Sequence, residues 1–66
     1  MTIGEVAERC GVATSALRFY EAEGLIHSER TDSGHRRYSR SVIRRVAFVV
    51  FAQKVGLSLD EIRGEL

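Results

Sequence analysis

Apolar residues recur along this chain at helical spacing in four separate stretches. Ile3, Val6, Ala7 and Cys10 follow the i, i+3, i+4, i+7 pattern of a buried stripe, with Glu5, Glu8 and Arg9 outside it. Thr2-x-x-Glu5 opens the stretch as a capping box and Gly11 follows it, so the spacing predicts a first helix over Thr2 to Cys10. Gly11 and Val12 turn the chain. A second helix is predicted over Thr14 to Glu23, with Thr14 as its cap, Ala13, Ala16, Leu17 and Tyr20 on its inner face, and Gly24 after its end. Helices this short are marginal alone and must pack on something.

Leu25 and Ile26 lead into a polar stretch. Thr31-Asp32-Ser33-Gly34 is rich in turn formers, and the flanking arms, His27–Arg30 and His35–Tyr38, read as a small two-stranded wing. The helical period returns from Ser39–Ser41 to about Val55. Ile43, Val46, Ala47 and Val50 are its main stripe, and Phe48, Val49, Phe51 and Ala52 widen the apolar surface. Such a helix is either central to the core or presents a face to another chain. Gly56 stops it. Ser58-x-x-Glu61 is a second capping box, opening a fourth helix with Leu59, Ile62 and Leu66 on one side. The predicted fold is mainly α, a winged helix-turn-helix of four helices with a two-stranded β wing.

Charge narrows the function. The 66 residues carry a net charge of only +1, but unevenly. Residues 1–27 hold two arginines against four acids, for −2, and residues 28–45 hold six arginines against Glu29 and Asp32, for +4. Residues 46–66 hold Lys54 and Arg63 against three acids, for −1. The positive charge thus sits on the wing and the helix start after it, as an electrostatic footprint for nucleic acid would. A helix-turn-helix places its second helix in the major groove of DNA, and basic residues beside it hold the phosphates. No Ser/His/Asp set, phosphate-cradling glycine loop or carboxylate pair suggests an enzyme. The lone Cys10 excludes an internal disulfide, and with His27 and His35 it makes no metal-ligand pattern, so no metal or cofactor is expected in this chain. No apolar run is long enough to span a bilayer. A reduced, cytoplasmic protein is expected.

Ser15 and Arg18 lie off the inner stripe of the second helix, where a recognition helix meets base edges, and Arg18 is the candidate for a bidentate contact to guanine. Tyr20 and Tyr38 combine buried rings with hydroxyls that can reach phosphate. In a strand Arg36 and Arg37 point opposite ways, so one faces DNA and the other does not. Arg30 and Arg40 are secondary phosphate candidates. Thr14, occupied as a cap, offers its backbone amide. A solvated charge is the expectation for Arg45, and a buried packing role for Cys10.

Several spaced motifs then carry a resemblance. Thr2-Ile3-Gly4-Glu5-Val6-Ala7, Gly11-Val12, Leu17-Arg18-Phe19-Tyr20-Glu21, Gly24-Leu25-Ile26, Arg36-Arg37-Tyr38 and Gly56-Leu57-Ser58-Leu59-Asp60-Glu61-Ile62 resemble the start of MerR-type transcription regulators, and most nearly the SoxR-like redox regulators. The resemblance implies a winged helix-turn-helix DNA-binding domain, with Arg36 at the family's wing arginine and phosphate contacts at Tyr20 and Tyr38. It implies a homodimer on a pseudo-palindromic promoter, acting on RNA polymerase indirectly through distortion of the DNA. An iron–sulfur cluster would belong only to a longer SoxR-like parent, on cysteines beyond a dimerisation helix. This chain departs from the pattern in having Ser28-Glu29 where many members have a wing proline, and His35 where an aromatic often precedes the wing arginine. The long dimerisation helix and effector domain are not in residues 1–66, which are expected to be a single DNA-binding domain cut from a longer protein. A stand-alone excisionase-like or architectural DNA-binding factor is the alternative. A protein-interaction module using Val46 to Val55 is a third reading, against which the clustered arginines argue.

Overall fold

A computed structural model describes all 66 residues. The elements run α1 (Ile3–Cys10), α2 (Thr14–Ala22), β1 (Glu29–Arg30), β2 (Arg36–Arg37), α3 (Ser41–Lys54) and α4 (Leu59–Glu65). The strands pair antiparallel, with Glu29 opposite Arg37 and Arg30 opposite Arg36. Architecture and element order are those the sequence predicts.

The helix boundaries follow local chemistry. Thr2 Oγ1 accepts from the Glu5 amide at 3.2 Å while Glu5 Oε1 accepts from the Thr2 amide at 3.0 Å, a complete capping box. Ser58 and Glu61 repeat it on α4 at 3.2 and 3.0 Å. Gly11 closes α1 in the left-handed region at φ 68°, where a side chain would be strained. The Val12 amide then donates to Ala7 O at 3.1 Å, fixing the turn between the first two helices.

Two expectations are corrected. Thr14 does not cap α2. The extended backbone that marks the cap falls at Ala13 (φ −74°, ψ 151°), so Thr14 is already helical and no side chain caps this end. The extended backbone at Ala13 brings the helix start forward by one position and leaves Ala13 exposed instead of on the inner face. The second correction concerns the face of α3. Its buried residues are Val42, Val46, Val49 and Ala52, whereas Ala47 and Phe51 are exposed and Ile43 and Val50 only half-buried. A helix apolar nearly all round does not reveal its inner face by periodicity; here the face is chosen by what packs on it.

The core is one cluster. Val6 and Ala7 of α1, Leu17 and Tyr20 of α2, Leu25, Ile26 and Tyr38 from the connecting segments, and Ile62 of α4 surround the inner face of α3. The wing stands outside this cluster, both strands being exposed. Its base is anchored by Tyr38, whose amide donates to Met1 O at 2.7 Å and whose ring is buried. The α1–α2 pair and the wing therefore rest on the same core from two directions.

Candidate nucleic-acid interface

Successive residues of a helix turn by about 100°, so burial of Leu17 and Tyr20 dictates what α2 presents outward. Ser15, Arg18, Phe19 and Ala22 share the exposed side. Arg18 has neither a hydrogen bond nor an ion pair within the protein. Phe19 is 46% exposed beside it, a large ring left in water that the sequence placed only ambiguously. Thr14 is exposed at the first turn, with its hydroxyl not used as a cap.

The wing supplies the cations. Its turn is built by the Gly34 amide donating to Thr31 O at 2.8 Å and the Thr31 amide donating to His35 O at 2.9 Å, with Gly34 at φ 84°. Arg30 Nη1 donates to Gly34 O at 3.2 Å and so braces this turn while remaining exposed. Arg37 and Arg40 are exposed and unpaired. Arg36 turns toward α2, its Nη1 3.5 Å from Glu21 Oε1, with its side chain still 47% exposed. That contact brings the strand bearing Arg36 alongside the helix bearing Arg18. Arg18 and Glu21 are one helical turn apart, so the wing contact meets α2 within a turn of Arg18. Arg45, expected to be a solvated charge, is instead half-buried and donates its Nε to Leu25 O at 2.7 Å, a structural use of that guanidinium.

The two tyrosines are buried as rings and committed as hydroxyls. Tyr20 Oη donates to Gln53 Oε1 at 2.8 Å, tying α2 to α3. Tyr38 Oη donates to Glu21 Oε1 at 2.6 Å. Each hydroxyl has one proton, and in this structure it is given to a protein acceptor, so the phosphate contacts expected of Tyr20 and Tyr38 would require these hydroxyls to leave Gln53 and Glu21. Glu21 also accepts from Ser28 Oγ at 2.8 Å through Oε2. The Tyr38 hydrogen bond, followed by Ser28 and the nearby Arg36, holds the Glu21 carboxyl below its usual range, while burial and the Glu21 bond push the Tyr38 phenol up.

Sequence reasoning missed Glu21 and Arg63 as site-building residues. Arg63 of α4 donates Nε and Nη2 to Glu23 O at 3.2 and 2.8 Å, clamping the C-terminal end of α2, and also meets Asp60 and the Glu23 carboxylate. Both partnerships span long stretches of sequence, and no local pattern announces them. No group of His, Cys, Asp and Glu is arranged to hold a metal ion. Burial pushes the Cys10 thiol up, away from the thiolate that reactive cysteines need. No helix is long and apolar enough to cross a membrane.

Residues 1–66 match the MerR HTH family regulatory protein family along their whole length. The chain belongs to the MerR family. Its fold and sequence are those of the DNA-binding domain of these transcription regulators. Over all 66 residues this MerR-family chain is 56% identical to an HTH-type transcriptional activator SoxR homolog of Chromobacterium violaceum, covering 45% of that protein. Over 61 residues, 91% of the chain, it is 44% identical to the mercuric resistance operon regulatory protein of Bacillus cereus, covering 46% of it. The chain thus spans about half the length of these relatives. Among solved structures, the transcription regulator PbrR691 from Ralstonia metallidurans, in complex with lead(II), superposes with a TM-score of 0.90 at 32% identity, over 97% of this chain and 51% of that one. HiNmlR, a MerR-family regulator lacking the sensor domain and bound to promoter DNA, gives 0.86 at 30% identity, over 96% of this chain and 48% of that one. The stand-alone architectural factor considered from sequence finds no counterpart among these relatives.

Proposed function

We propose that this MerR-family domain reads a half-site of double-stranded promoter DNA, with the outer side of α2 in the major groove and the wing on the flanking backbone. Ser15 and Arg18 meet base edges, Arg18 by the paired donors that suit guanine. Arg30, Arg36 and Arg40 hold phosphates, as does the backbone amide of Thr14 at the open start of α2, while Arg37, on the opposite strand face from Arg36, is the weaker phosphate candidate. Tyr20 and Tyr38 hold these elements in place from beneath, through their bonds to Gln53 and Glu21. The observation that carries the reading is that exposed, unpaired Arg18 and the wing arginines lie on adjoining elements joined by the Glu21–Arg36 contact, so one duplex meets both.

In the parent regulator two such domains act together, as a homodimer on a pseudo-palindromic promoter in the cytoplasm, and RNA polymerase is reached through the DNA. Tethering two half-site readers raises affinity through effective concentration, so the 66-residue chain alone binds weakly. An iron–sulfur cluster of the SoxR-like kind would need cysteines beyond these residues, since Cys10 is the only one here.

The test is fluorescence anisotropy on duplex libraries at low and moderate salt. Arg18→Ala is expected to relax the preference at one base-pair position by about 1–3 kcal/mol while leaving binding to mixed-sequence duplex nearly intact. Arg40→Ala is expected to weaken binding uniformly across sequences and make its salt dependence shallower by about 0.9 in log K against log salt. Absence of any duplex binding at low salt would overturn the reading.

A further inference from the structure

The carboxylate of Glu21 is an anion beside the arginines proposed to hold DNA, itself a polyanion. We propose that Glu21 is a positioning residue for DNA binding: from the recognition helix it fixes Arg36 and Tyr38, and so sets the spacing between helix and wing that a duplex must match. The proposal rests on the DNA-binding reading above.

Three separate segments converge on this side chain. Ser28, on the approach to β1, donates to one carboxylate oxygen at 2.8 Å. Tyr38, just past β2, donates to the other at 2.6 Å, and Arg36 of β2 lies 3.5 Å from that same oxygen. These are the only side-chain bonds between α2 and the wing; the other outward bonds of α2, from Tyr20 and to Glu23, run to α3 and α4. The strands themselves are two residues each and exposed, so their own pairing does little to hold the wing at a given distance. Glu21 is only 21% exposed, and its charge is met by Arg36 and two hydroxyl protons, so it presents little free negative potential outward. A carboxylate suits the task because it is acceptor-only and has two oxygens: it accepts from Ser28 and Tyr38 together, and it attracts one edge of a guanidinium whose remaining donors stay free for phosphate.

The experiment measures binding of a fluorescent mixed-sequence DNA duplex across a salt series, with thermal melting of every variant. Arg36→Ala is expected to flatten the salt slope by about 0.9, the value of one phosphate contact, and to weaken binding about eightfold at 0.1 M salt. Glu21→Ala is expected to reproduce most of that change, and the double variant to be no worse than either single one. A Glu21→Ala protein that melts lower yet keeps the wild-type slope would make Glu21 a stability residue only and overturn the proposal. A steeper slope with tighter binding would overturn it too, since the carboxylate would then merely repel DNA. Glu21→Gln keeps the side-chain volume and an oxygen for Tyr38 but loses the charge facing Arg36. Its slope is expected between wild type and Glu21→Ala, and it decides the matter should the alanine variant not fold, a wild-type slope counting against the proposal. An unchanged slope in Arg36→Ala would remove the phosphate contact itself and the proposal with it, whereas an unchanged slope in the Glu21 variants alone removes only the positioning role.

Discussion

Replacing Tyr38 by phenylalanine deletes one hydroxyl and nothing else. The ring is 2% exposed and fills the same space in both proteins, so no cavity forms. What is lost is a 2.6 Å hydrogen bond to an ionised carboxylate. Bonds to charged groups contribute about 1.5–3 kcal/mol. Glu21 keeps Ser28 and Arg36 after the change and is not left orphaned, so the expected loss is at the lower end, about 1.5 kcal/mol. In a domain of this size that lowers the melting temperature by about 6–12 °C. The pH dependence adds a second, independent signature. The folded protein holds the Glu21 carboxyl below its ordinary value, chiefly through this bond, so the stabilisation is complete above the unfolded value of about 4.3 and disappears as pH falls through the folded one. Once Glu21 is protonated, only a neutral hydrogen bond of about 0.5–1.5 kcal/mol remains to be lost. Urea unfolding of wild type and Tyr38→Phe at pH 7 and pH 3 should therefore show a deficit that shrinks in acid. A deficit below about 0.5 kcal/mol at pH 7, or one of equal size at both pH values, would refute the account of this bond as charge-assisted.

Three further substitutions probe how the site is held up. Leu17→Ala empties a fully buried position on the inner face of α2 and should cost about 2–5 kcal/mol, most of the stability a domain this small has, read as loss of the cooperative unfolding transition in circular dichroism. Gly11→Ala meets no atom within 4 Å, so its only cost is the left-handed backbone at φ 68°, about 1–2 kcal/mol by urea unfolding; a neutral result would mean the turn readjusts. Ser58→Ala removes the hydroxyl that accepts from the Glu61 amide and should cost about 1 kcal/mol, and Glu61, whose carboxyl that capping box holds down, should titrate closer to its ordinary value by NMR.

The sequence made some parts of this molecule plain and hid others, and the division follows the range of the interactions. Thr2 with Glu5 and Ser58 with Glu61 are three residues apart, and a glycine after a periodic run marks its end, so α1 and α4 and their limits could be read directly. The wing was legible as a turn-rich segment between two arms, though its strands are shorter than those arms. The start of α2 was misplaced because the cap falls at Ala13, which has no side chain to cap with, against the preference that favours Thr14. The inner face of α3 was misassigned because residues from five other segments select Val42, Val46, Val49 and Ala52 from an almost continuous apolar surface. Glu21 escaped notice for the same reason: its partners lie 7, 15 and 17 positions away and meet only in the fold. The basic character of the wing, by contrast, needed only a regional charge count.

Every cation from residue 28 to residue 45 is an arginine, and the chain's single lysine, Lys54, sits at the far end of α3. A guanidinium stays protonated under all physiological conditions, whereas an ε-amine can be acylated and silenced. Acetylating chemistry aimed at lysines therefore leaves the wing's charge as it was, and so does amine-directed dye coupling. The charge on these guanidiniums is correspondingly constant, removed neither by physiological changes in acidity nor by lysine acylation.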